Sequence, residues 1–305
     1  MCCAVKKMFC SLTKLTHPLT YMQKIFLRLI VIPAMLLSCR PSSKEVNSNE
    51  QYGNNSSAGK YYDVRSFKMY CETYGDGDPL VLIHGNGGSI KDFVNQIPYF
   101  SNKYKVIVAD SRNQGKSQDL GDSLSYEMMA DDYAALLKAM NIDSAFVIGW
   151  SDGGINGLLL ASRHPGVVKK LASTGANLWP DSTAIHHEII EMTQPEYTVL
   201  HEKVNRNDSE KTKWKLVRLL LDEPHISLSE LNKITCPTLV IGGDHDVIKE
   251  EHTMLIYKNL PNAYLWILPN SGHKTLFTYK DEFNNKIDQF FSNPYKEIAG
   301  KGRFR

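Results

Sequence analysis

The feature that most constrains the fold of this chain is an apolar run that ends directly in a Gly-x-Ser-x-Gly pattern. Residues 145–148 form a short buried-strand pattern, and Gly-Trp-Ser-Asp-Gly follows at 149–153. A serine on a strand-to-helix turn takes a strained backbone, and side chains two residues away would collide, so Gly149 and Gly153 leave room. The pattern predicts a sharp turn that lifts the Ser151 hydroxyl clear of a sheet, next to helix amides that favour negative charge.

A serine hydroxyl needs a base to accept its proton, and a later histidine meets that need. His273 follows the apolar run 264–268, in a Pro-Asn-Ser-Gly-His loop whose turn-forming residues can fold over the sheet edge. A carboxylate must then orient the imidazole. After the strand pattern at 238–241, Gly-Gly-Asp-His-Asp offers Asp244 and Asp246, and both satisfy the chain order Ser, Asp, His. We favour Asp246 and expect Asp244 to close its own turn.

These residues make the chain similar to the α/β-hydrolase superfamily from about Phe67 to Phe291, and the serine turn resembles that of the valacyclovir-hydrolase-like esterases. The resemblance implies an α/β fold, with a mostly parallel central sheet flanked by helices and a small helical cap. It also implies that the backbone N–H groups of Asn86, in His-Gly-Asn-Gly-Gly at 84–88, and of Asp152 form an oxyanion hole. Because both are backbone donors, their side chains need not be fixed by the chemistry.

The rest of the chain agrees with alternating strands and helices. Amphipathic patterns predict helices at 126–140 and 281–291, and an antiparallel lead-in strand is expected at about 66–74. The segment Asp-Ser-Arg-Asn-Gln-Gly-Lys-Ser at 110–117 has Asn113 where the family commonly has glycine. Asparagine tolerates left-handed backbone, so this turn is expected to persist.

The beginning of the chain resembles a bacterial lipoprotein signal. Basic residues precede an apolar stretch that ends in Leu-Leu-Ser-Cys at Cys39, and this stretch is too short to span a bilayer comfortably. Met22 is an alternative start to Met1. The expected organisation is a signal peptide at 1–38, a flexible Ser- and Asn-rich tether at 39–60, a hydrolase domain at 61–292 with a cap at about 176–233, and a C-terminal tail at 293–305. The protein is then expected to be exported and anchored through lipid on Cys39 to a bacterial membrane, on the periplasmic or cell-surface side.

The net charge gives information about partners, and the cysteine content about the thiols of the domain. The full chain carries a formal charge of +2. Removal of residues 1–38, which hold five basic and no acidic side chains, leaves 30 basic and 33 acidic residues, or −3. A mildly acidic protein gives no reason to expect a nucleic-acid partner. Two cysteines remain after the anchor, Cys71 and Cys236, and we expect both to be buried thiols.

Together these patterns predict a serine hydrolase that cleaves small carboxylic esters or related acyl compounds through Ser151, His273 and Asp246. The partners expected are a small acyl substrate and a membrane, and no cofactor or metal is implied. Lactone, amide or carbon–carbon bond hydrolysis by the same residues is an alternative. A non-catalytic, ligand-binding lipoprotein is the alternative from a different functional class.

Overall fold

The computed structural model describes residues 52–304, which form one eight-stranded sheet flanked by helices. The strands, in chain order, are β1 Gly59–Val64, β2 Phe67–Tyr74, β3 Asp78–Ile83, β4 Tyr104–Ala109, β5 Ala145–Trp150, β6 Val168–Thr174, β7 Thr238–Gly243 and β8 Ala263–Leu268. The order along the sheet is β1-β2-β4-β3-β5-β6-β7-β8. β2 is antiparallel to β1 and β4, and all other neighbours are parallel. This is the α/β-hydrolase fold, so the predicted fold class is confirmed.

The helices connect successive strands, as parallel pairing requires. They are α1 Ile97–Phe100, α2 Tyr126–Ala139, α3 Asp152–Arg163, α4 His187–Glu202, α5 Asp208–Asp222, α6 Leu228–Leu231, α7 Glu250–Lys258, α8 Thr275–Thr278 and α9 Lys280–Ser292, with 3₁₀ helices at Ile90–Phe93 and Gly300–Phe304. The predicted helices at 126–140 and 281–291 correspond to α2 and α9. Within residues 52–304, no helix is both long and apolar enough to cross a membrane.

Two apolar cores lie on opposite faces of the sheet. Alternate residues of a strand point to opposite faces, so Val81 and Ile83 of β3 pack with α2 and α3, whereas Leu80 and Leu82 pack with α9. Because both faces are covered, the central strands read as continuous apolar runs. This pattern is what made β5 recognisable in the sequence.

The amino-terminal end of the domain differs from the prediction. Residues 52–60 were expected in the flexible tether, but here they lead into β1, which pairs with β2. The backbone amides of Gly53 and Asn55 donate to the buried Glu72 carboxylate, over 2.8 and 2.9 Å. The predicted tether is therefore wrong at its carboxyl-terminal end, because a buried carboxylate on β2 binds this backbone. The predicted signal peptide, the rest of the tether and Cys39 lie outside the described residues.

At the other end of the domain, the predicted tail begins packed against the sheet. The backbone amide of Lys296 donates to the Tyr264 hydroxyl over 2.8 Å. Cys71 and Cys236 are free cysteines, the first buried and the second half-buried.

The region predicted as a cap is helical, as expected, and contains α4, α5 and α6. Helix α5 is attached to the loop before α2 through a buried lysine. The Lys215 ammonium donates to the carbonyls of Asp119 and Gly121, over 2.9 and 2.8 Å. A lysine buried to this extent is stabilised by such bonds, since an unpaired ammonium would lose its hydration without compensation.

Candidate active site

Ser151 lies at the turn between β5 and α3 with φ 57° and ψ −120°, a backbone conformation that is rare for a residue with a side chain. The flanking glycines are required by close contacts. A Cβ on Gly149 would lie 2.0 Å from the Gly153 carbonyl oxygen, and a Cβ on Gly153 would lie 1.9 Å from that of Ile83. The strained serine predicted from the sequence is therefore present, and the surrounding backbone maintains it.

Ser151, His273 and Asp246 form one hydrogen-bonded chain. The Ser151 Oγ lies 2.8 Å from His273 Nε2, and His273 Nδ1 lies 2.6 Å from Asp246 Oδ1. The Asp246 side chain is only 1% exposed, and the amides of Gly243 and Ile248 also donate to it. With the Nδ1 proton donated to Asp246, the neutral imidazole presents Nε2 as the acceptor for the serine proton.

Asp244, the alternative carboxylate, has a different set of contacts. It accepts hydrogen bonds from the backbone amides of Asn270 and Ser271, over 2.9 and 3.0 Å. These bonds hold the pKa of Asp244 below its usual value. The backbone amide of Asp244 itself also interacts with this carboxylate, as expected of a residue that closes its own turn, and the bonds to Asn270 and Ser271 attach that turn to the loop that carries His273.

Trp150 is a residue of the site that the sequence reasoning missed. Its indole Nε1 donates to the His273 carbonyl oxygen over 2.9 Å, and its ring contacts Phe277 edge-on. The side chain thus joins the serine strand to the histidine loop. An indole directly before the serine was visible in the sequence, but its direction and partner were not.

The loop at 84–88 passes next to the serine. A Cβ on Gly85 would lie 3.1 Å from the Ser151 Cβ. His84 holds this loop, since its Nε2 accepts the Ser111 amide over 2.9 Å and its Nδ1 lies 2.8 Å from the Gly85 carbonyl oxygen. Burial lowers the pKa of His84, which keeps the ring neutral for this acceptor role.

The two predicted oxyanion residues are joined through their side chains. Asp152 is the first residue of α3, so its amide has no acceptor within the helix. The Asn86 Nδ2 donates to Asp152 Oδ2 over 2.9 Å. Burial raises the pKa of Asp152 to about 6, and hydrogen bonds from Asn86 and Tyr126 oppose that shift. This contact was not predictable from the sequence, because the two residues are far apart in the chain.

A small cavity opens from Ser151 and His273 towards the cap, with a volume of about 110 Å³. Half of its lining residues are aliphatic side chains of the cap and of the loop after β7: Ile185, Ile189, Ile190, Leu220, Leu221, Val247 and Ile248. Polar groups of Tyr126, Asp152 and Glu223 also line it. Burial raises the pKa of Glu223.

Among residues 52–304, no group of three or more His, Cys, Asp or Glu side chains could hold a metal ion.

The predicted Asp-x-Arg segment supports the site from outside. Asn113 adopts the left-handed backbone expected of it, with φ 63°. The buried Arg112 makes two short hydrogen bonds to Asp132, at 2.6 and 2.7 Å. Asn113 contacts Thr212 of α5, so this turn supports the cap rather than lining the cavity.

Comparisons with known proteins agree with the fold. The model of the alpha/beta hydrolase fold family matches residues 78–223. Serine hydrolase BPHL of Mus musculus is 25% identical over 281 residues, which cover 87% of this chain and 95% of that protein. A 2-hydroxy-6-oxononadienedioate/2-hydroxy-6-oxononatrienedioate hydrolase of Comamonas testosteroni is 24% identical, covering 79% and 98%. The crystal structure of the enol-lactonase from Burkholderia xenovorans LB400 superposes with a TM-score of 0.63 at 18% identity, covering 77% of this chain and 100% of that chain.

Proposed function

We propose that this chain, which has the α/β-hydrolase fold and hydrolases among its relatives, is a serine hydrolase that cleaves small carboxylic esters through an acyl-enzyme. The observation that carries this proposal is the continuous hydrogen-bonded chain from Ser151 to His273 to Asp246. It supplies a nucleophile, a base within reach of its proton and a carboxylate that orients the base.

In the proposed reaction the Ser151 oxygen attacks the ester carbonyl carbon while its proton passes to His273 Nε2. Asp246 stabilises the imidazolium that forms and keeps its ring oriented. The imidazolium then gives the proton to the leaving alcohol as the carbon–oxygen bond breaks. Water attacks the acyl-enzyme with His273 as base, which releases the acid and restores the serine.

We assign the oxyanion site to the backbone amides of Asn86 and Asp152. The loop at 84–88 lies against Ser151, and α3 begins immediately after it, so both peptide groups belong to segments that border the reacting oxygen. Fixed amide donors at a helix N-terminus stabilise developing negative charge without reorganising during the reaction.

The cavity supports a preference for short acyl groups. At about 110 Å³ it is smaller than a cavity of about 150 Å³ that accepts benzene, and half of its lining residues are aliphatic. We therefore expect acetyl to butyryl esters to react faster than esters of long fatty acids.

The proposal is tested by pre-steady-state kinetics with p-nitrophenyl acetate, butyrate and decanoate on the full chain. Ser151→Ala and His273→Ala should abolish the burst of p-nitrophenol and the steady-state turnover. Thr212→Val, a substitution outside the cavity, is the matched control and should retain both. If the folded wild-type chain forms no acyl-enzyme, the ester proposal is wrong; a lactone, amide or carbon–carbon substrate, or ligand binding without turnover, would then have to be tested.

We also propose that the protein is a lipid-anchored, exported enzyme, on the basis of the Leu-Leu-Ser-Cys sequence that ends at Cys39. When the full chain is expressed in a bacterial host with radiolabelled palmitate, the protein purified from the membrane fraction should carry the label. Cys39→Ser should abolish this labelling. Labelling that persists in this variant would contradict the assignment of the anchor.

A further inference from the structure

We propose that the Asn86 side chain is a positioning group that holds the two oxyanion amides in alignment by binding both Asp152 and the cap helix α5. This inference rests on the proposed function, because the group that it positions acts on the oxyanion of that reaction.

The Asn86 carboxamide contacts two different elements at once. Its Nδ2 donates to Asp152 Oδ2 over 2.9 Å and to the Leu216 carbonyl oxygen over 3.1 Å. A carboxamide nitrogen has two N–H groups, so both are used. Asp152 begins α3 directly after the nucleophile, whereas Leu216 lies in α5 of the cap.

The position of Asn86 in its loop explains why this side chain matters. It lies between Gly85 and Gly87, and Gly87 adopts a positive φ of 65°. Two glycines leave the intervening peptide with little side-chain restraint. The Asn86 carboxamide therefore restrains the orientation of its own backbone amide and ties it to the residue that provides the second amide.

Helix α5 is held on the domain by other contacts as well. Lys215 binds two carbonyls of the loop before α2, and Thr212 contacts Asn113. Loss of the Asn86 contact alone should leave α5 docked and the cavity formed. What should be lost is the restraint on the oxyanion amides, an effect on the transition state more than on substrate binding.

The test uses Asn86→Leu, which keeps a similar shape and removes both N–H donors. Thr212→Val is the matched control, because it removes a hydrogen bond between α5 and the domain that does not reach the oxyanion amides. Three quantities are measured for each variant: kcat and KM with p-nitrophenyl acetate, and the inhibition constant of an aryl trifluoromethyl ketone. In the ketone adduct the Ser151 oxygen bonds to the carbonyl carbon, the carbonyl oxygen becomes the anion, and the serine proton passes to His273.

We expect Asn86→Leu to lower kcat by about 10- to 100-fold, as for the loss of a hydrogen bond to a charged group, with KM changed by less than about threefold. The inhibition constant of the ketone should rise by the same factor as kcat/KM falls. Thr212→Val should change all three by less than about threefold. Melting temperatures of both variants show whether either effect is only loss of folding, and Asn86→Ser provides a second variant for the same measurements.

Three results would overturn the inference. Asn86→Leu could behave like Thr212→Val, or it could raise KM alone while the inhibition constant of the ketone follows KM, which would make Asn86 only a cap contact. In both cases wild-type acylation at Ser151 would leave the proposed function standing. A wild-type chain that forms no Ser151 adduct would overturn the proposed function together with this inference.

Discussion

Replacement of Asp246 by asparagine tests the assignment of the third catalytic group. The substitution keeps the shape of the side chain and removes its charge. When His273 accepts the serine proton, the imidazolium faces a carboxylate across an N–O distance of 2.6 Å, in a site where that carboxylate is only 1% exposed. With charge centres about 4 Å apart and an effective dielectric constant of about 20, the lost attraction is about 4 kcal/mol. This corresponds to roughly a 10³-fold decrease in kcat/KM.

The assay is steady-state hydrolysis of p-nitrophenyl acetate, together with the rate at which a fluorophosphonate labels Ser151. Asp244→Asn is the matched control, two residues away, and should change kcat/KM by less than about threefold because its bonds are to backbone amides of a partly exposed loop. A decrease of less than about tenfold in Asp246→Asn, or an equal decrease in both variants, would refute the electrostatic reasoning. It would also reopen the choice between the two aspartates.

Three further predictions concern residues around the site. Trp150→Phe removes the indole donor to the His273 carbonyl and should lower kcat by about three- to tenfold with KM little changed; a rise in KM alone in steady-state kinetics would contradict this. His252 accepts the Leu178 amide, and burial lowers its pKa to about 4. Because the unfolded chain binds this proton near pH 6.5, wild-type stability should fall as pH drops from about 6.5 to 4, by about 3 kcal/mol, and His252→Gln should remove that part of the fall. Thermal melts at pH 7 and pH 4.5 check this, and an equal fall in both proteins would refute it. Glu72→Gln turns an amide group towards N–H and O–H groups that now donate to the Glu72 carboxylate, and it should lower the free energy of unfolding by about 1–3 kcal/mol. A lower melting temperature and faster proteolysis at 52–58 are expected, and cleavage at the wild-type rate would contradict the prediction.

Much of the site was predictable because its chemistry requires particular residues at particular turns. Gly149 and Gly153 lie so close to neighbouring carbonyls that no side chain fits at either position. The serine turn therefore has a local pattern that is recognisable in the sequence. His273 was predictable for a similar reason, since it follows a strand in a short loop of turn-forming residues. The choice between Asp244 and Asp246 remained open in the sequence, because both follow β7 and only the packing of the next loop distinguishes them.

Other features depended on contacts between distant parts of the chain. β1 was missed because a mostly exposed edge strand lacks a strong alternating pattern, and its pairing is set by β2. The buried Glu72 accepts backbone amides about twenty residues earlier, so composition alone made that segment look like part of a tether.

The sequence by itself determined the α/β class, the strained serine turn and the chain order Ser, Asp, His of the residues that meet at the site. Local backbone geometry and buried apolar runs depend on residues that are close together in the chain, and the pattern of those residues is therefore sufficient to predict them. Only the tertiary structure decided which aspartate faces His273, how Trp150 ties the histidine loop to the serine strand, and how Asn86 joins the cap to the loop at 84–88. These contacts bring together side chains from separate elements, and their directions are set by packing of the whole domain.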